Sequence, residues 1–139
     1  MNRKVIVAWI LTIILSTIGG VIAGSSSKSG IKSEISLRDS IYYVMGEYDI
    51  KYPDIVYAQA VLETGNFKAG IFTKKQNLFG LRGKKGYYSF QHWSESVKMY
   101  KEKIQSRYRE GEDYYHFLKR IHYAENPNYT KSLKKLVKK

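Results

Sequence analysis

The sequence predicts a mainly α-helical domain with a short loop or β-hairpin, preceded by an N-terminal membrane segment. Three observations predict it. Apolar residues recur at helical spacing through most of residues 34–139. Residues that start and stop helices stand where those stretches begin and end. Residues 5–23 carry no charged side chain, and Arg3 and Lys4 precede them.

That apolar stretch is long enough to cross a bilayer as a helix, which takes roughly 17–25 residues. Arg3 and Lys4 favour a cytoplasmic N-terminus, so the rest of the chain is expected outside. Residues 1–24 read either as a signal peptide or as a transmembrane anchor. Small residues at the Val21-Ile22-Ala23-Gly24 end suit cleavage, and the length suits an anchor. Residues 25–33 form a Ser/Gly-rich linker that cannot pack.

Residues 34–139 form the domain. Leu37, Ile41, Val44 and Met45 make one helix face, with Ser36 as its N-cap. Pro53 suits the first turn of a second helix, where a missing N–H costs nothing. Ile55, Ala58, Gln59 and Leu62 share a face of it, and Gly65 is its stop. Asn66 to Tyr88 is rich in Gly and Lys and reads as loop, with a short hairpin around Lys84-Lys85-Gly86. Trp93 opens a third helix with Val97, Tyr100 and Ile104 along one stripe. A fourth covers Asp113 to His122, burying Tyr114, Phe117, Leu118 and Ile121. After the Asn126-Pro127 turn, Thr130 to Lys139 forms a basic amphipathic helix carrying Leu133, Leu136 and Val137.

Composition excludes several classes. Aromatics are 14% of the 139 residues, with 13 tyrosines, so the domain is not a disordered tail. Cysteine is absent, which removes disulfides, thiolate metal sites, a lipoprotein anchor and a cysteine nucleophile. His92, His116 and His122 show no metal-ligand spacing, and no cofactor is implied.

The residue most suited to chemistry is Glu63. It ends an apolar helix, where the helix dipole disfavours a second negative charge. Apolar neighbours would disfavour ionisation as well. A carboxyl so placed keeps its proton near neutral pH and can act as a general acid. The alternative is a surface glutamate in a last helical turn.

Three stretches then fall in order: Ala58-Gln59-Ala60-Val61-Leu62-Glu63-Thr64-Gly65, Asn77-Leu78-Phe79-Gly80-Leu81-Arg82-Gly83, and Tyr123-Ala124-Glu125-Asn126-Pro127-Asn128-Tyr129. Together, over residues 38–135, they resemble the bacterial endo-β-N-acetylglucosaminidase family. This is the glucosaminidase domain of peptidoglycan-cleaving autolysins, flagellar muralytic proteins and phage lysins. The resemblance implies a small lysozyme-like α-domain with a groove, and a glycoside hydrolase cleaving after N-acetylglucosamine in cell-wall glycan. By position it makes Glu63 the catalytic acid. Asn77, Leu78, Phe79 and Gly80 become a wall of the sugar groove, and Tyr123 a catalytic tyrosine beside the reacting sugar. Tyr129 matches a substrate-binding or packing tyrosine.

One departure stands out. Longer members of that family place an acidic residue on a hairpin after the second stretch. Here Gly83-Lys84-Lys85-Gly86-Tyr87-Tyr88 is short and has no Asp or Glu. Glu95 reads as a helix N-terminal stabiliser, and Glu125 stands where the family has threonine. Three mechanisms remain: attack by the substrate's own acetamido group, activation of water by an unidentified acid, or a lytic transglycosylase needing Glu63 alone. A glycan-binding module without activity is the further alternative.

The net charge is +12, and residues 1–24 hold only Arg3 and Lys4 of it. The basic domain suits an anionic wall polymer or a membrane surface. Nucleic acid, the rival class, does not suit an exported domain. Nothing signals an obligate oligomer, so a monomer is expected.

Overall fold

The structure is a computed structural model and describes residues 35–138. The expected membrane segment, 1–24, and linker, 25–33, lie outside the described residues. Among the described residues no helix is long and apolar enough to cross a membrane.

Helices dominate, joined by one minimal hairpin. Helix α1 spans Leu37–Glu47, and the Ser36 hydroxyl accepts from the Asp39 amide at its start, as the sequence leads one to expect. Helix α2 spans Pro53–Glu63 with proline at its first turn. It stops at a left-handed Gly65, φ +54°. The Asn66 amide bonds back to Val61 O at 2.8 Å and the Gly65 amide to Leu62 O at 3.4 Å, which closes the helix end.

The stretch read as loop holds a four-residue helix, α3 (Gly70–Thr73), that the sequence did not announce. One turn is too short to carry a 3.6-residue period. Strands β1 (Arg82–Gly83) and β2 (Gly86–Tyr87) pair antiparallel around Lys84-Lys85, with Arg82 opposite Tyr87. Helix α4 spans Trp93–Lys103. Its cap is His92, whose side chain accepts from the Ser94 amide. A 3₁₀ turn, Gln105–Arg107, follows. Helix α5 (Tyr114–Arg120) is capped by Asp113, and α6 spans Tyr129–Val137.

The core joins α1, α2, α4, α5 and α6 with the Leu78–Leu81 stretch. Ile41, Val56, Ala60, Leu78, Val97, Phe117 and Leu133 have no exposed surface. Burying such side chains stabilises by about 1.5–3 kcal/mol each. Helix α6 packs against α2 through its Leu133 side, while Val137 stays exposed. That docking brings the third sequence stretch to the end of the first.

Candidate active site

Glu63 is the last residue of α2, and the chain leaves it through a fixed turn. Thr64 is fully buried; its hydroxyl donates to Ala60 O at 2.6 Å and accepts from the Phe67 amide at 2.9 Å. The Glu63 carboxyl is therefore set by rigid backbone. Its Oε1 accepts from the Tyr129 hydroxyl at 2.8 Å. Its Oε2 lies against Gly80, where an added Cβ would sit only 2.9 Å away. Gly80 has φ +60°, a conformation that suits glycine.

The Asn77–Leu81 loop supplies that glycine. Asn77 is fully buried and clamps the loop on both sides. Its amide donates to Leu81 O at 2.8 Å and Tyr88 O at 3.0 Å, and its carbonyl accepts from the Leu81 amide at 3.0 Å. Leu78 is also fully buried, its amide bonded to the Ser96 hydroxyl. The side chains of Asn77 and Leu78 thus face the interior. Phe79 lines the cleft, and its carbonyl accepts from the Tyr123 hydroxyl at 2.8 Å. The rings of Tyr123 and Tyr129 lie 5.7 Å apart, centre to centre.

A cleft of about 300 Å³ opens beside Glu63. The loop contributes Phe79, Gly80 and Leu81, and the hairpin with its exit contributes Arg82 and Tyr88. Met99, Lys103, Ile104 and Arg107 come from α4 and the 3₁₀ turn, and Ile121, His122 and Tyr123 from the segment after α5. Among the described residues Glu63 is the one carboxylate in this lining. Glu95 and Glu125 are both exposed and stand outside it. Of the sequence candidates, then, Glu63, Phe79, Gly80 and Tyr123 meet at the cleft. Tyr129 stands behind Glu63, and Asn77 and Leu78 hold the loop from within.

Behind Tyr129 runs a buried hydrogen-bond chain. Gln105 Nε2 donates to the Tyr114 hydroxyl at 2.8 Å, and Tyr100 and Tyr114 hydroxyls lie 2.9 Å apart. Tyr100 gives its single proton to Gln59 Oε1 at 2.6 Å, so Tyr114 donates to Tyr100. Gln59 Nε2 donates to the Tyr129 oxygen at 3.4 Å, and Tyr129 donates to Glu63. Every donor points toward the carboxyl. Burial pushes Tyr114 up to about 12 and raises Tyr100, Tyr123 and Tyr129 well above the ordinary phenol range, so these phenols stay protonated. Sequence reasoning placed Gln59 and Tyr100 only on helix faces. A glutamine on an apolar face was the available signal.

Two influences compete at Glu63. Burial disfavours its charged form, and the bond from Tyr129 favours it. Burial prevails, and the carboxyl titrates above the ordinary value of 4.5. A carboxyl that holds its proton to higher pH than usual, at the wall of a cleft, can deliver that proton to a bound ligand.

A sequence profile described as glucosaminidase, mannosyl-glycoprotein endo-beta-N-acetylglucosaminidase, matches residues 38–139. The chain belongs to the glucosaminidase family. No match was found among curated proteins or among solved structures. Membership in the glucosaminidase family points to a glycoside hydrolase acting on a glycan.

Proposed function

We propose that the protein cleaves the glycan strands of peptidoglycan after N-acetylglucosamine, with Glu63 as general acid. The observation that carries the proposal is the carboxyl of Glu63: half-buried, raised in pKa, and alone among carboxylates in the cleft lining of the described residues. Family membership supports the substrate class. Residues 1–24 would export the domain, residues 34–139, either anchoring it outside the membrane or leaving it secreted.

A single carboxyl suits substrate-assisted hydrolysis, one of the exceptions to the two-carboxylate scheme. The Glu63 carboxyl gives its proton to the leaving O4 as the C1–O4 bond breaks. The carbonyl oxygen of the sugar's own 2-acetamido group bonds to C1, closing an oxazolinium ring. Water then adds to C1 and gives a proton to the Glu63 carboxylate. The ring opens and a reducing N-acetylglucosamine end is released with retained configuration. Tyr129 orients the carboxyl, and Tyr123 fixes the Phe79 carbonyl beside it.

The single carboxyl favours a second reading equally. A lytic transglycosylase would use Glu63 to protonate the other glycosidic oxygen as its C1–O bond breaks; the muramyl C6 oxygen then bonds to C1 and its hydroxyl proton returns to the Glu63 carboxylate. Digestion of purified peptidoglycan by the wild-type chain and by Glu63→Gln separates the two. Borohydride-reduced N-acetylglucosamine ends, lost in the variant, support hydrolysis after N-acetylglucosamine. Anhydromuramyl ends mean transglycosylation. No release from walls of several bacterial types leaves a glycan-binding module.

A further inference from the structure

The cleft holds three lysine or arginine side chains against its single carboxylate. Arg82 comes from β1, Lys103 from the last turn of α4, and Arg107 from the 3₁₀ turn. None of the three takes part in an ion pair among the described residues. The ion pairs found there use Lys51, Lys98, His116 and Arg120 instead. Two segments separated in sequence, β1 and the end of α4 with the 3₁₀ turn that follows it, thus bring like charge to one concave site, in which Glu63 is the one carboxylate. A scattered basic surface would be ordinary solvated charge. Convergence in a cleft with apolar walls of Phe79, Leu81 and Ile104 concentrates the field on whatever binds there.

The backbone of one of these cations and the side chain of another have partners. The Arg107 carbonyl accepts from Arg120 Nη2 at 2.9 Å, and Arg120 is itself held by Glu112 at 2.7 Å. The Arg82 guanidinium lies over the Tyr87 ring, 5.4 Å from its centre. A neutral polymer of N-acetylglucosamine offers these groups only hydroxyls and amides. A strand that carries carboxylates beside its sugars offers each a charged partner.

We infer that Arg82, Lys103 and Arg107 form an anion subsite that reads carboxylates borne by the glycan strand, so that the cleft selects peptidoglycan over uncharged N-acetylglucosamine polymers. The inference rests on the glycan-strand function proposed above and names what that site prefers. The carboxylates come from stem peptides or, on strands without peptides, from the lactyl groups of the muramyl sugars.

The test uses the full chain carrying Glu63→Gln, so that ligands survive the titration. Dissociation constants are measured at fixed ionic strength for three probes: peptide-bearing glycan strands, the same strands stripped by an amidase, and N-acetylglucosamine hexamer. Two further variants are compared. One adds Arg82→Gln, Lys103→Gln and Arg107→Gln; the other removes the same charge elsewhere through Lys68→Gln, Lys74→Gln and Lys131→Gln, all exposed positions. The cleft triple should weaken peptide-bearing strands about tenfold, the combined effect of three solvent-exposed charge contacts. Hexamer binding should not change, and the control triple should stay near its parent for every probe. Stripped strands that weaken equally show that free lactyl carboxylates are read as well as stem-peptide ones, and stripped strands that behave like hexamer restrict the reading to the stem peptides. Equal weakening of hexamer, or equal weakening by the control triple, overturns the inference. Cleavage by the wild-type chain is measured in parallel. Cleavage without the charge-dependent preference sinks this inference alone, and the preference without cleavage sinks the hydrolase reading alone.

Discussion

Gly80→Ala tests the placement of the acid most directly. Gly80 has φ +60°, so any side chain there carries the strain of a left-handed conformation, about 1–2 kcal/mol. The new Cβ would lie 2.9 Å from Glu63 Oε2 and 3.7 Å from its Cδ. The carboxyl must retreat by about 0.5 Å or more to reach ordinary non-bonded separation. That movement costs little stability, because the tip of a side chain gives way rather than backbone. It costs function, because the tip is the acid, and misplacement near 1 Å can cost about a hundredfold in rate. Gly111→Ala is the matched control: φ is +81° and the space around it is open. Thermal unfolding should show similar losses for the two variants. Release of soluble glycan from purified peptidoglycan should fall about tenfold to a hundredfold for Gly80→Ala and stay near wild type for Gly111→Ala. Wild-type turnover by Gly80→Ala would refute the reasoning, since the carboxyl would then tolerate displacement that the geometry forces.

Tyr129→Phe removes the hydrogen bond that favours the ionised Glu63, so the carboxyl should titrate still higher. The alkaline limb of kcat/KM, where the acid must be protonated, should move to higher pH while the maximal rate falls; a limb moving to lower pH contradicts this assignment. Asn77→Ala strips three hydrogen bonds from the buried loop and should destabilise by about 2–4 kcal/mol in urea unfolding, with a loss below about 1 kcal/mol ruling out the clamp. The Glu112 carboxyl, held by Arg120, titrates at about 2 instead of the ordinary 4.5. Its contribution is complete above pH 4.5 and is lost as pH falls toward about 2, because the unfolded chain binds the proton first. Glu112→Gln should therefore flatten the acid side of a stability-versus-pH curve in that window, and an unchanged slope argues against the pair's role.

The local architecture was legible because its causes are local. Ser36 caps α1, Pro53 opens α2 and Gly65 closes it, each acting within a few residues of itself. The two-residue turn at Lys84-Lys85 was equally readable. Glu63 stood out from its helix end and from the resemblance, which also supplied Gly80, Tyr123 and Tyr129. What the sequence could not decide was how these residues meet. Tyr129 lies 66 positions from Glu63, and Tyr100 lies 41 from Gln59. No periodicity couples such distances; tertiary packing does, and the docking of α6 on α2 is what brings Tyr129 to Glu63. Asn77 looked like a groove residue until its amide was found turned inward against Leu81 and Tyr88. The separation of the cleft cations Arg82, Lys103 and Arg107 from the paired ones likewise depends on tertiary packing. Chain order fixes which charges exist, and only the folded surface determines which of them share a cleft and which find partners.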